Sequence, residues 1–440
     1  MKNYFYDLVL IIKNAVKKEE RFTAWFEAES LDYARFNCGN IRQAGSVDQQ
    51  YISIDLIAGQ KHASCKLGLA NNSALDKATI LDAIKTMRHQ IAECADDPYL
   101  MINEKDESSE YVATDQLQDK TWIVQQILHE AQGLDLVGCY IGGPIYRGFA
   151  NSFGQKNWFQ KSSFVLDSSV YHSGDKAIKQ SYSDTIFNIE IFQRKIEEAR
   201  AGLRLFDQGT KTIKPGNYRA YFAPSAVQEI LAMLNWGGFS KKSLETKSSP
   251  LMPLYNEQKG LSKHFSLSEN ISGGVGPNFQ SQGFLKPQNL SLIEHGKYKN
   301  SLISPKTAKE YKLDHNGADD DEVMTSMDMA GGDMDEKDIL TTLNDGLYIN
   351  NLWYLNFSDR HNGCLTGMTR FFCYTVKNGQ REAPFSVMRF DDSIYRIFGD
   401  NLRHITKNRE MLIDNATYDE RITSCAIVPG IIAENVRFTL

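Results

Sequence analysis

The 440-residue chain lacks most of the signatures that fix a chemistry at first reading. It has no CxxC pair, and its seven cysteines (Cys38, Cys65, Cys94, Cys139, Cys364, Cys373 and Cys425) are odd in number and scattered. That argues against a disulfide framework and for reduced thiols in a cytoplasmic protein. No apolar run approaches the roughly 20 residues of a membrane span. The N-terminal "MKNYFYDLVLIIKNAVKKEE" is interrupted by Lys13 and has no small-residue cleavage site, which excludes a signal peptide. No Lys/Arg-rich run interleaved with aromatics occurs, and the net charge is -6, so direct nucleic-acid binding is not expected. GxGxxG, P-loop and GxSxG patterns are missing; the glycine-rich "SGGVGPN" reads as a sharp turn.

Three stretches come near a chemistry and stop short. In "ILHEAQGLDLVG", His129 and Glu130 imitate the start of a zinc-peptidase HExxH helix. The second His would have to stand at i+4, which is Gly133, a residue suited to stopping a helix. His129 therefore reads as a solvated side chain near the C-terminal end of a surface helix. "SDRHNGCLTG" offers His361 and Cys364, with Cys373 farther on, one or two ligands short of a closed zinc site. The acidic run from Asp314 to Asp338 lacks the alternation and the glycine of an EF-hand and reads as a solvated loop.

What is present is an α+β pattern. Phe5, Leu8, Val9, Ile12 and Ala15 fall at helical spacing, as do Ile80, Ile84, Met87 and Ile91 farther on. Between them "RFTAWFEA", "DYARFNCG", "NIRQAGSV" and "QQYISIDLIAG" read as short strands, antiparallel because their connections are too short for crossovers. A polar loop near 97–114, a helix near 115–132, further strands to about 190 and the helix "IEIFQRKIEEARAGLRLF" complete the first half. "DQGTKTIKPGNY" has the composition of a boundary. The region 236–300 reads as loops and extended strands, and the last hundred residues as strands.

The blocks "ARFNCGNIRQAGSV", "GLDLVGCYIGGPIYRGFANSFGQKNWF", "SGGVGPNFQSQGF" and the run from "MAGGDMDEKD" to "IYRIFGDNL" resemble the TldD/PmbA family, in order and over nearly the whole chain. The resemblance implies two domains, residues 1–210 and 211–440. The first would be an α+β domain of mixed or antiparallel sheet with helices. The second would be dominated by curved antiparallel β-sheet. It implies a dimer, either of one chain or of a TldD-like with a PmbA-like (TldE-like) chain, acting on peptide or unfolded protein; an older family label is modulator of DNA gyrase. TldD-like chains are metallopeptidases with an HExxxH motif and a late Cys ligand. Carried onto this chain after the strand "YRAYFAP", the two His positions fall at Ala232 and Gly237 and the Glu at Met233, while Cys425 stands several residues too late. The resemblance thus implies a non-catalytic PmbA-like subunit with no catalytic residue and no cofactor of its own, zinc belonging to a TldD-like partner. Asn350, Trp353, Tyr354, Arg360, Thr369 and Arg370 are its candidate peptide contacts. The alternatives are a self-sufficient peptidase with an atypical site, using His361 and Cys364, and an interaction module without a role in proteolysis.

Overall fold

The computed structural model describes residues 1–114 and 117–439. Helix α1 (Lys2–Ala15) buries Phe5, Leu8, Val9 and Ile12, the stripe that its sequence periodicity marks. Strands β1 (Glu20–Asn37) and β2 (Asn40–Ala58) each merge two of the expected short strands. Nothing in "ESL", between the first two, breaks a ladder, and the antiparallel register runs unbroken from Glu20 opposite Ala58 to Arg35 opposite Gln43. The hairpin turns at Cys38 and Gly39, both at positive φ, which suits a two-residue connection. Strand β3 (Lys61–Gly68) follows, then α2 (Ser73–Glu93). Asn72 caps α2 by accepting from the amides of Ala74 and Leu75, and Ile80, Ile84, Met87 and Ile91 face inward.

The expected polar loop contains a short strand, β4 (Ser109–Val112), parallel to β6. The expected helix near 115–132 is α3 (Lys120–Glu130); residues 115 and 116 lie outside the described residues. Strands β5 (Asp135–Asn151), β6 (Lys156–Ser173) and β7 (Lys176–Asp184) complete a seven-stranded sheet, in the order β3-β2-β1-β5-β6-β4 with β7 also against β6. Helix α4 (Ile189–Phe206), capped by Asn188, closes this half.

The C-terminal half builds one sheet of thirteen strands. These are β8 (Gly216–Phe222), β9 (Leu267–Glu269), β10 (Leu290–Glu294), β11 (Lys297–Tyr298), β12 (Ser326–Met329), β13 (Gly346–Ile349), β14 (Asn351–Asp359), β15 (Cys364–Arg370), β16 (Tyr374–Lys377), β17 (Gln380–Pro384), β18 (Arg389–Ser393), β19 (Leu402–Ile413) and β20 (Cys425–Phe438). Helix α5 (Pro224–Ala232) follows β8. The sheet is mixed, because β13 runs parallel to β8 and β12 parallel to β20. Both pairs join strands far apart in sequence, where a crossover is available and a hairpin is not required.

The acidic run is not a loose solvated loop. Glu322 is buried and accepts from Ser240 Oγ (2.6 Å), the Lys242 amide (3.0 Å) and the Ser304 amide (2.8 Å). Met324, Met327 and Met329 enter the core, and β12 lies within the run. Composition marked the acids as solvated, but the apolar methionines between them draw the segment inward.

The two sheets share a core. One apolar cluster runs from Ile123 and Ile127 of α3 through Phe192 and Ile196 of α4 to Tyr221, Tyr374 and Ile432 of the large sheet. A second tie is ionic. The β19–β20 connection reaches back to the first sheet, where buried Arg421 donates to buried Glu29 at 2.8 Å. Among the described residues no helix is long and apolar enough to cross a membrane.

Candidate functional site

A cleft of about 510 Å³ opens where α5 meets β7, β19 and the start of β20. Helix α5 is two-faced. Ala226, Val227, Ile230 and Leu231 are buried, while Ser225, Gln228, Glu229 and Ala232 line the cleft. The offsets 3, 4 and 7 put these four on one side of a helix. Glu229 has no ion-pair partner among the described residues, and burial in the concavity holds its carboxyl above the usual range. Across the cleft Lys179 pairs with Asp167, and Asn415 Nδ2 donates to Asp167 Oδ2 at 3.1 Å.

Cys425 lines this same cleft, opposite Ser326 in the β12–β20 ladder. Counted along the chain it stands too late to match a ligand; in three dimensions it reaches the cleft wall. Burial pushes its thiol up to about 11. A thiol raised in this way is a poor nucleophile at neutral pH.

A smaller pocket of about 140 Å³ continues from the cleft, sharing Lys179, Ser181 and Ser225 with it. Its floor is a row of tyrosines on three adjacent strands: Tyr221 on β8, Tyr348 on β13 and Tyr374 on β16. Ring centroids are 4.8 Å apart for the first pair and 4.5 Å for the second. Glu198 and Lys195 of α4 and Glu410 of β19 form its walls.

Of the contact candidates, Asn350 lines the small pocket; its neighbour Asn351, not among them, lines the large one. The Asn350 amide is held by the carbonyl of Lys179 at 3.1 Å. Trp353 and Tyr354 stand out on β14 at 44% and 68% exposure. Their rings touch, with centroids 4.1 Å apart, and the Arg370 guanidinium lies 3.4 Å over Trp353. Arg360 sits over Phe357 and donates to the carbonyls of Ser248 (2.8 Å) and Trp236. Thr369 is buried: its hydroxyl accepts from the Met388 amide at 2.9 Å, which gives it a role within the sheet. The six do not form one site; Asn350 belongs to the pockets, and Trp353, Tyr354 and Arg370 form a surface patch.

His361 is exposed on the turn after β14, and Cys364 starts β15 beside a separate pocket with Asp392, Arg396 and Arg437. Among the described residues no three His, Cys, Asp or Glu side chains converge in a way that could hold a metal. His129 is exposed in the last turn of α3, and Gly133, at φ +77, follows the helix, as its sequence suggests. Sequence reading missed Tyr221, Tyr348, Glu198 and Glu229. The only signal for the tyrosines was their place in strand-like runs, which marks core equally well.

The family model of the PmbA/TldA metallopeptidase C-terminal domain matches residues 215–440. The chain belongs to the PmbA/TldD family. Three solved structures share its fold over the whole of this chain. TldE from Thermococcus kodakarensis is 14% identical, covered over 100% of its length, with a TM-score of 0.77. A proposed modulator of a DNA gyrase from Thermotoga maritima is 13% identical, covered over 100%, with a TM-score of 0.74. A third, from Bacteroides thetaiotaomicron and described in the same terms, is 15% identical, covered over 98%, with a TM-score of 0.72. At these identities the likeness is one of fold. A comparison with curated proteins gives no match.

The family's name implies a metallopeptidase, and the cleft is where α5 would present a metal motif. The residues do not fit. Helix α5 ends at Ala232 and gives way to a 3₁₀ turn at Met233–Asn235, so no continuous helix carries an HExxxH segment through 237. Met233, at the position of the motif's Glu, is buried in the core. Gly237, at the second His position, has φ +78, and a Cβ there would stand 2.6 Å from Ser243 Oγ. Backbone path and side chains alike depart from a zinc helix.

Proposed function

We propose that this chain is a PmbA/TldE-like subunit of a TldD/PmbA-type peptidase, non-catalytic itself, that holds extended peptide for a metal-bearing TldD-like partner. The observation that carries this reading is the cleft along α5, which stays open and polar while its ligand positions are Ala232 and Gly237. A hydrolytic zinc centre needs three protein ligands, an open water position and a carboxylate base. A concave groove with polar side chains on a sheet seam needs none of these to bind an extended chain. In this reading residues 1–210 and 211–440 act as the two domains, the cleft between them receives peptide, and Trp353, Tyr354, Arg360 and Arg370 supply the outer contacts. Aromatic and arginine side chains of this kind dominate binding energy at interfaces.

The test is to purify the chain alone, a TldD-like HExxxH chain alone, and the two together. Zinc content and cleavage of unstructured peptides are then measured for each. We expect no stoichiometric zinc and no turnover for the lone chain, and higher turnover for the pair than for the partner alone. Stoichiometric zinc with turnover by the lone chain would overturn the reading. Association without any gain in turnover would replace it with that of a plain interaction module.

A further inference from the structure

The small tyrosine-floored pocket has more polar groups than the fold uses. Tyr221 is buried, yet its hydroxyl makes no hydrogen bond among the described residues, and the same holds for the hydroxyl of Tyr348. Neither oxygen is among the polar atoms sealed off from solvent, so both face the pocket. Both residues line the pocket, so their unused hydrogen-bonding capacity is available to whatever enters it.

The charges around the pocket are mostly paired. Lys179 is bound to Asp167, Lys195 meets Glu410 at 2.8 Å, and Glu336 meets Arg194 at 3.7 Å. Glu198 and Arg381 are left without an ion-pair partner among the described residues. Arg381 is directed at the pocket wall: its guanidinium lies over the Tyr374 ring at 5.6 Å, and its Nε is buried. Glu198 is in a different situation, lining the concavity while open to solvent.

We propose that this pocket receives a primary ammonium group of the bound peptide, with Glu198 accepting its hydrogen bonds and the hydroxyls of Tyr221 and Tyr348 completing the shell. The inference rests on the peptide-holding reading and adds a substrate class to it. The dimensions agree. About 140 Å³ suits the end of a side chain or a chain terminus, not a whole peptide, and the pocket opens into the 510 Å³ cleft where the peptide would lie. A lysine side chain and a peptide amino terminus present the same chemistry, and the experiment separates them.

Three short amidated peptides are titrated into the full-length chain by calorimetry. One is N-acetylated with a single lysine, one is lysine-free with a free amino terminus, and one is N-acetylated and lysine-free. One or both ammonium-bearing peptides should bind about ten-fold tighter than the third, as loss of one charged hydrogen bond predicts. Which of them does so identifies the group. Glu198→Gln should abolish the difference, and Tyr348→Phe should reduce it roughly three-fold. Thermal melts of both variants, near that of the parent, show that the fold is intact. Equal affinity for all three peptides, or a difference that survives Glu198→Gln, overturns the ammonium pocket and leaves the peptide-holding reading standing. Failure of all three to bind overturns both.

Discussion

Replacing Arg421 with Met should lower the melting temperature by about 3–5 °C, and the reasoning runs through one buried pair. Arg421 is 5% exposed and Glu29 1%. The guanidinium donates from Nε to Glu29 (2.8 Å), from Nη1 to the Ser163 carbonyl (3.2 Å), and from Nη2 to the carbonyls of Gly143 (3.0 Å) and Pro144 (3.3 Å). Methionine fills similar space and removes the charge. Glu29 then keeps the Gln49 amide at 2.6 Å and the more distant Arg421 amide as donors, and three carbonyls lose theirs. Breaking a buried pair from one side costs about 3–5 kcal/mol, because an uncompensated charge remains. At about 2.1 cal/mol/K per residue, the melting entropy of 440 residues is roughly 0.9 kcal/mol/K, which gives the shift above. Differential scanning calorimetry reads it, and limited proteolysis should show earlier cutting between 414 and 424, where the connection loses its anchor. The double variant Glu29→Leu with Arg421→Met removes both charges and should recover more than half of the loss. A melt of Arg421→Met within 1 °C of the parent, or a double variant as unstable as the single one, would refute the argument.

Three further outcomes follow from the same structure. A Cβ at Gly430 would overlap the Tyr221 hydroxyl and ring, so Gly430→Ala should destabilise by about 1–3 kcal/mol in a thermal melt. Glu20 is gripped by Arg88 at 2.6 and 2.7 Å, chiefly by those hydrogen bonds, and its folded pKa is lowered. Its contribution is therefore fully present above the ordinary carboxylate range and lost as pH falls through the lowered value, so the melting-temperature gap between the parent and Glu20→Gln should be open at pH 7 and narrow towards pH 3. On the β14 surface, Trp353→Ala or Arg370→Ala should weaken binding of an unstructured peptide by about 2 kcal/mol or more with little change in melting temperature, as measured by calorimetry.

Local period was the most legible feature of the sequence. The spacings of Phe5, Leu8, Val9 and Ile12, and of Ile80, Ile84, Met87 and Ile91, mark the buried faces of α1 and α2 because helical repeat and burial coincide there. Strand length was less legible: β1 and β2 run through residues with no turn chemistry, and only the register shows them as single ladders. What depends on distant partners was not legible. The parallel pairing of β8 with β13, the burial of Glu322 by Ser240 and Ser304, and the arrival of Cys425 at the wall lined by Ala232 are set by the path of the sheet. The tyrosine row failed for a related reason. Tyr221, Tyr348 and Tyr374 come from three strands separated by up to 153 positions, and each alone looks like a core residue.

The departures around α5 point in one direction. A helix with no use for an open cleft gains burial by closing onto the opposite wall. Instead its inner face packs with Val227, Ile230 and Leu231, while Ser225, Gln228 and Glu229 stay turned to an open cleft. Next to it lie two phenols without hydrogen bonds and a carboxylate without a counter-ion. All three line the small pocket, where their hydrogen-bonding capacity is open to a ligand. Helix α5 gives way to a 3₁₀ turn after Ala232, and the polar cavity beside it is open. That combination supports a surface that holds a chain in place and leaves the cutting to another subunit.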